Sequence, residues 1–237
     1  MFKIKIADIN ILVHNKYEFT RLFCSDYLTD EAAIDLEVSC TDEEILEEIK
    51  ASEIDVTPEY VENVCIHRAI AERLAEFDAF LFHSALLECD GLGIAFAAHS
   101  GVGKSTHVGL WKKVYGDRVR IINGDKPIVR FINGQAIAYG TPWLGKEGEG
   151  VNDSCPLKAV CFISRGSENS IKKTDPFDVI LELFGQVYVP KLQNNAEKTL
   201  ELLDRFTSIT DFYSLKCNMM NDAAITAHKG ILGDIKE

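Results

Sequence analysis

Residues 94–106 read IAFAAHSGVGKST and set the expectation for the fold. An apolar run ends in a loop of small residues, and the loop ends in Gly-Lys-Ser where a helical pattern begins. A phosphate-binding P-loop requires this order, because N–H groups of the loop and of the helix start converge on phosphate oxygens. The stretch departs from the pattern G-x-x-x-x-G-K-[ST] only at Ala98, which replaces the first glycine. The alternative is a strand–turn–helix joint that binds no ligand.

The side chains of this stretch have separate predicted tasks at a bound nucleotide. Lys104 would neutralise phosphate charge, and the Ser105 hydroxyl would ligate Mg²⁺. Gly101 and Gly103 can adopt a positive φ and let an anion approach the backbone closely. We therefore predict a site for ATP and Mg²⁺ whose nucleotide-binding residues are Ser100, Gly101, Val102, Gly103, Lys104, Ser105 and Thr106.

The composition of the whole chain limits its partners. The 237 residues carry a net charge of −12, which argues against general binding to nucleic acid or anionic membranes. No apolar run approaches the length of about 20 residues that spans a bilayer, and residues 1–6 lack the apolar block of a signal peptide. The seven cysteines form no Cys-x-x-Cys pair and are expected to be reduced. We expect a cytoplasmic protein, with a homo-oligomer left open.

Residues 1–77 are predicted to form a small α+β segment beside the larger part of the chain. Two stretches alternate like short strands, a Thr-x-x-Glu capping box opens one helix, and Thr-Pro opens a longer one. Residues 26–59 contain thirteen acids and a single lysine. This acidic stretch is either a solvated helix face or a docking surface for a basic partner. The predicted strands cover residues 2–6, 9–13 and 34–38, and the predicted helices cover residues 17–27, 42–51 and 58–77.

Residues 78–237 are predicted to hold a mixed sheet with antiparallel hairpins. A strand over residues 79–88 carries His83, and the turn signal Asp90-Gly91 returns the chain as the strand that enters the P-loop. Ordinary P-loop proteins alternate strand and helix around a parallel sheet, so the hairpins distinguish this chain from them. The other predicted elements are helices over 105–114, 177–184, 196–206 and 221–231, and strands over 119–123, 128–132, 135–139, 157–164 and 212–217.

Two residues outside the loop are candidates for catalysis. Asp125 follows a predicted strand, where P-loop enzymes place an acid that holds Mg²⁺ or takes a proton; a turn aspartate before a proline is the alternative. His83 is expected near the phosphate end of its hairpin, because a hairpin brings the start of one strand beside the end of the other. A satisfied core histidine is the alternative for His83.

The glycine-punctuated loop over residues 141–152 is a candidate lid. Its glycines would give it freedom to close over a bound phosphate, with Lys146 as a charge clamp. Arg165, at the end of a predicted strand, is a second candidate for the clamp. Either cation could equally be a solvated surface residue. Trp143, in the same loop, is expected to be exposed.

Residues 82–105, with the turn at Gly124 and Asp125, resemble the catalytic core of bacterial HPr kinase/phosphorylase. That family has a histidine before a short strand, then Gly-Leu-Gly, then Gly-x-Ser-Gly-x-Gly-Lys-Ser, and an acidic pair at the next strand end. The motifs Gly-Lys-Ser-Thr-His, Asn-Gly-Asp-Lys-Pro and Tyr-Gly-Thr-Pro-Trp are similar to a set of HPr-kinase-like proteins of Gram-positive gut bacteria. The core resemblance covers roughly residues 80–166.

The resemblance implies an α/β fold shared with phosphoenolpyruvate carboxykinases: a mixed sheet with antiparallel hairpins and a P-loop. The activity that it implies is an ATP-dependent kinase that transfers the γ-phosphoryl group to a serine or other hydroxyl of a protein, peptide or small molecule. The implied catalytic residues are Asp125, His83 and Lys104, with Ser105 and Asp125 as ligands of Mg²⁺.

Departures from the family pattern leave other functions open. Gly124 replaces one acid of the pair, and Thr106 replaces the glutamate that follows the loop. These departures, with a different glycine-rich signature after the core, argue against phosphorylase activity and against HPr as the substrate. The alternatives are a nucleotide-binding scaffold or regulator without transfer activity and, less favoured, a phosphoenolpyruvate carboxykinase-like activity.

Overall fold

The computed structural model of the protein describes residues 1–233 and shows a mixed α/β fold. In the first 77 residues, two antiparallel strands form the predicted hairpin, and a third strand pairs with the second in parallel. Ala7 and Asp8 turn this hairpin with positive φ angles. The elements are β1 (Phe2–Ile6), β2 (Ile9–His14), α1 (Glu18–Phe23), β3 (Leu36–Ser39), α2 (Asp42–Ala51) and α3 (Pro58–Arg73).

The starts of α2 and α3 are as the sequence predicts. The Thr41 side chain accepts from the Glu44 N–H while the Glu44 carboxylate accepts from the Thr41 N–H, which completes the capping box. Thr57 accepts from the N–H of Tyr60, and a proline occupies the first turn of α3. Local side-chain chemistry therefore determines where both helices begin.

A nine-stranded mixed sheet forms the larger part of the protein. Its path runs β4-β8-β9-β10-β6-β5-β7, with β12 beside β10 and β11 beside β12. The long β10 pairs with β9 at its start and with β6 and β12 over the rest, so it joins the two ends of the sheet. The strands are β4 (Ala79–Leu81), β5 (Ala85–Cys89), β6 (Leu92–Ala97), β7 (Val119–Asn123), β8 (Ile128–Ile132), β9 (Gln135–Tyr139), β10 (Ser154–Arg165), β11 (Ser170–Lys173) and β12 (Asp211–Cys217).

Helices cover both faces of this sheet, because successive side chains of a strand point to opposite faces. In β6, Phe96 packs with the cluster that contains Trp111, whereas Ala95 packs with the cluster that contains Phe206. The rings of Trp111 and Phe206 are fully buried, and the burial of each stabilises the folded protein by about 2–3 kcal/mol. The helices are α4 (Lys104–Tyr115), α5 (Ile180–Phe184), α6 (Gln193–Ile209) and α7 (Asn221–Leu232).

The prediction of one continuous strand over residues 79–88 is wrong. The chain forms β4 and β5 with a link at 82–84, because β4 pairs with β8 while β5 pairs with β6 and β7. Three N–H groups of the link donate to carbonyls elsewhere in the chain, which holds His83 at the crossing point between the strands. These bonds run from Phe82 to Pro127, from His83 to Gln186 and from Ser84 to Asp125.

Other predicted elements need smaller corrections. The predicted helix over 177–184 divides into a 3₁₀ turn, Pro176–Val179, and α5, and β11 was not among the predicted strands. The hairpins of β5 with β6 and of β8 with β9 are confirmed. Among residues 1–233, no helix combines the length and apolar character that crossing a membrane requires.

The N-terminal segment packs against the β8–β9 side of the large sheet. Ile66 and Ile70 of α3 share a buried cluster with Ile128 and Tyr139. The Tyr139 hydroxyl also donates to the Asp8 carboxylate at 2.7 Å. A division into residues 1–77 and 78–237 stays a prediction, and its second range ends outside the described residues.

Candidate functional site

The loop between β6 and α4 is held at the centre of the large sheet, because β6 pairs with β5 on one side and β10 on the other. Gly101 and Gly103 have φ angles of +79° and +125°, which L side chains rarely adopt. No atom lies within 4 Å of where a Cβ on either glycine would be, so the φ angles, rather than crowding, require glycine. Gly103 caps α4 without a side-chain hydrogen bond.

Lys104 extends back beneath the loop that precedes it. Its Nζ donates to the carbonyl of Ala98 at 2.9 Å and lies 3.3 Å from Nε2 of His83. Only 8% of Lys104 is exposed, and this burial lowers the pKa of its ammonium group. An ammonium group in such a position would gain from a bound anion, since an opposite charge favours the protonated form.

Asp125 lies between two cationic or hydrogen-bonding side chains. His83 Nε2 is 3.0 Å from one carboxylate oxygen, and Lys126 Nζ is 2.7 Å from the other. The side-chain oxygen of Asn123 accepts from the N–H groups of Asp125 and Lys126, at 2.9 and 2.7 Å. This turn orients the carboxylate toward His83 and Lys126. The tautomer of His83 determines whether Nε2 donates to Asp125 or accepts from Lys104.

The charge state of Asp125 follows from these contacts. Burial raises the pKa of the carboxyl, but the hydrogen bonds from His83 and Lys126 outweigh burial and lower the pKa well below its usual range. The group is therefore a carboxylate at neutral pH. A carboxylate with a lowered pKa suits cation binding better than proton abstraction.

A cavity of about 500 Å³ lies between this carboxylate and the loop. Lys126 also lines this cavity and was not among the predicted site residues. Its position directly after Asp125 was the one feature of the sequence that could have indicated it. The structure brings most of the predicted site residues to this one cavity: His83, Ser100, Gly101, Gly103, Lys104, Ser105, Thr106, Asp125 and Lys146.

Two predicted residues do not line this cavity. Val102 packs on the buried cluster beneath the loop. Arg165 donates through Nε to the Val102 carbonyl at 3.2 Å and through Nη2 to the Gly101 carbonyl. The guanidinium therefore supports the loop from outside the cavity. The structure brings Lys146, and not Arg165, to the place predicted for a clamp.

The loop after β9 is fastened to the end of β7. The N–H of Gly124 donates to the Glu149 carbonyl at 3.0 Å, and a Cβ at Gly124 would lie 2.6 Å from the Leu144 carbonyl oxygen. A Cβ at Gly145 would lie 2.8 Å from that of Asp125. The candidate lid therefore rests on the strand end that carries the carboxylate, and its close packing excludes an acidic side chain at position 124.

Trp143 in this loop is buried, so the expectation that it is exposed was wrong. Its indole stacks on the imidazole of His67 in α3, with ring centroids 4.2 Å apart, and only 8% of the residue is exposed. The sequence could not predict this contact, because it joins the lid to a helix that is far from it along the chain. Burial also lowers the pKa of His67 to about 3, so its imidazole is neutral.

Comparisons with known proteins give little further information. No family model matches the sequence, and no curated protein matches it. Among solved structures, the HPr(Ser) kinase/phosphatase from Coxiella burnetii is similar with a TM-score of 0.31 and 13% sequence identity, over 54% of this chain and 97% of that chain. At this TM-score the similarity assigns neither a fold family nor an activity.

Proposed function

We propose that the protein binds ATP with Mg²⁺ at the loop between β6 and α4 and transfers the γ-phosphoryl group to a hydroxyl. The observation that carries the proposal is the convergence of Lys104, His83 and Asp125 at one end of that loop. Lys104 Nζ lies 3.3 Å from His83 Nε2, which lies 3.0 Å from a carboxylate oxygen of Asp125. A lysine and a carboxylate beside a glycine loop are parts that phosphoryl transfer uses, and here the imidazole of His83 contacts both.

The residues present fit a bound triphosphate. The first N–H groups of α4 have no side-chain cap, and the helix N-terminus carries partial positive charge. Gly101 and Gly103 leave open space where side chains would block the approach of phosphate oxygens. Lys104, which now donates to a carbonyl of its own loop, would turn to the β- and γ-phosphates.

The residues also fit Mg²⁺, which prefers oxygen ligands. Ser105 and Asp125 line the same cavity and offer a hydroxyl and an ionised carboxylate. When bound, the ion would neutralise charge on the transferring group. Lys126 would then shift from the Asp125 oxygen that it now contacts.

In the proposed reaction the acceptor oxygen forms a bond to the γ-phosphorus as the bond to the β-phosphate oxygen breaks, and ADP leaves. The acceptor proton passes to the pair formed by Asp125 and His83. The loose transition state of phosphoryl transfer needs little help from a base, so a carboxylate of low pKa is adequate. Lys104, with Lys146 from the lid, stabilises charge on the transferred group.

A nucleotide-binding scaffold without transfer activity is the second candidate. It is favoured by the hydrogen bonds that already occupy both oxygens of Asp125 and by the glycine at position 124. Both candidates require nucleotide binding, and only the first requires a phosphorylated product. Transfer is favoured because nucleotide binding alone does not require the imidazole of His83, which contacts both Lys104 and Asp125.

The test compares Lys104→Ala with Lys113→Ala, which removes an exposed lysine of the same helix. We expect Lys104→Ala to lower the rate of phosphoryl transfer from labelled ATP at least about a thousandfold, with an unchanged melting profile. Lys113→Ala should keep the wild-type rate. Transfer by Lys104→Ala at the wild-type rate would refute the assignment, and ATP binding without any phosphorylated product in a cell extract would favour the scaffold.

A further inference from the structure

A second cavity, of about 460 Å³, adjoins the first at Asp125. The two cavities share Asp125, Lys126, Gly145 and Lys146. The far walls of the second cavity come from α1, α3 and the lid. Because the carboxylate stands at the boundary, a molecule in the second cavity could place one group beside a phosphate held in the first.

Three polar side chains that line this second cavity have buried atoms without a hydrogen-bond partner among the described residues. They are Oδ1 of Asn63, Nε2 of His67 and Nε1 of Trp143. Buried polar atoms are nearly always paired in folded proteins, so a cluster of three points to a missing ligand or to water. Together they offer an amide oxygen that accepts, an indole N–H that donates, and a neutral imidazole.

Aromatic side chains supply the rest of the wall. Trp143 stands between His67, which it stacks on, and Phe23, whose ring centroid is 6.4 Å away. Tyr60 lies at the rim and is 49% exposed. A cavity of a few hundred Å³ with aromatic walls and a few placed polar groups is typical of a site for a small molecule rather than for a folded protein.

We propose that the second cavity binds the phosphoryl acceptor, and that this acceptor is a small uncharged alcohol with a flat aromatic body. The inference rests on the proposed function for its chemistry, but its binding step does not. The aromatic body lies among Phe23, Tyr60 and Trp143, and its polar edge meets Asn63. The hydroxyl reaches Asp125, where its oxygen attacks the γ-phosphorus, its proton passes to the Asp125–His83 pair, and ADP leaves.

The binding test uses the 237-residue chain without nucleotide. Tryptophol and phenylethanol are the probes, propanol lacks the ring, and a blocked Gly-Ser-Gly peptide represents a peptide acceptor. We expect both aromatic alcohols to show saturation-transfer NMR signals. Tyr60→Ala should weaken their binding about tenfold, as loss of a contact aromatic does, while Phe177→Ala should not. Phe177 is 84% exposed and lies outside the cavity, which makes it the matched control.

Binding that is absent, equal for propanol, or insensitive to Tyr60→Ala would overturn the inference, and so would preferred binding of the peptide. A transfer assay with ATP then separates the two proposals. If the aromatic alcohols bind as expected but receive no phosphate, the result supports the second cavity as a binding site for aromatic alcohols. The same result counts against the proposed kinase activity. Transfer to another acceptor with a KM that Tyr60→Ala leaves unchanged supports the kinase and overturns the cavity assignment. If both hold, Tyr60→Ala raises the KM for the alcohol and leaves the KM for ATP unchanged.

Discussion

Asp125 is the residue on which the candidate site depends most. One of its carboxylate oxygens contacts His83 and the other contacts Lys126. Its backbone N–H donates to the side-chain oxygen of Asn123. These contacts lower the pKa of the carboxyl despite its burial. The same contacts that would position a metal ligand therefore also stabilise the fold, and one substitution can measure both effects.

We predict that Asp125→Asn lowers phosphoryl transfer about a thousandfold and the free energy of unfolding at neutral pH by about 1–2 kcal/mol. The folded pKa lies below the unfolded one, so the stabilisation is present above about pH 4 and is lost as the pH falls further. Urea unfolding measures this: the difference in free energy of unfolding between wild type and Asp125→Asn should become smaller as the pH falls from 7 to 3.

The control for this substitution is Asp153→Asn. Asp153 pairs with Arg120 away from both cavities and is also a carboxyl with a lowered pKa. It should leave phosphoryl transfer unchanged. A gap between wild type and Asp125→Asn that stays constant down to pH 3 would contradict the ionised, hydrogen-bonded state described for Asp125.

At the scale of elements, the candidate lid and β7 form one unit. The lid approaches the strand end so closely that Gly124 has no room for a side chain. Glu149 and Val151 hydrogen-bond to the backbone on either side of Asn123. The lid packing therefore excludes a side chain at position 124, and an acidic one could be accommodated there only if the lid moved.

We predict that Gly124→Ala lowers the free energy of unfolding by about 1–3 kcal/mol, because its Cβ would meet the backbone oxygen of Leu144. Gly109→Ala is the matched control, since that glycine lies within α4 with no atom within 4 Å of its Cβ position. Alanine there should be neutral or stabilise by up to about 1 kcal/mol. Chemical denaturation measures both, and equal effects of the two substitutions would contradict the close packing of the lid.

At the scale of the whole molecule, two neutral buried histidines make stability depend on pH. Burial lowers the pKa of His67 in the N-terminal segment to about 3 and that of His107 in α4 to about 4. Nε2 of His107 accepts from the indole of Trp111 at 3.0 Å. Both folded values lie below the usual histidine value, so protonation favours the unfolded chain.

We therefore predict that each histidine reduces the free energy of unfolding by about 1–2 kcal/mol as the pH falls from about 7 to 5. His107→Gln, whose amide oxygen can still accept from Trp111, should flatten this dependence when urea unfolding is followed at both pH values. A slope that His107→Gln does not alter would contradict the neutral buried state.

Much of the fold could be predicted from local patterns. Thr41 and Thr57 marked helix starts, and Asp90-Gly91 marked a hairpin. These features depend on neighbours in the sequence and on backbone preference alone. The break in the predicted strand at 82–84 could not be predicted, because pairing partners far along the chain determine which strand each half joins.

Adjacent residues alone specify the strand, the glycine loop and the helix around Lys104, and they place Asp125 just after the next hydrophobic strand. Local chemistry suffices for that, since positive φ and helix initiation are properties of a few adjacent residues. Three features depend instead on the folded chain: His83 contacts Asp125, the lid excludes a side chain at Gly124, and His67 and Trp143 line a second cavity. These contacts join distant segments, and sheet topology and close packing, rather than local preference, create them.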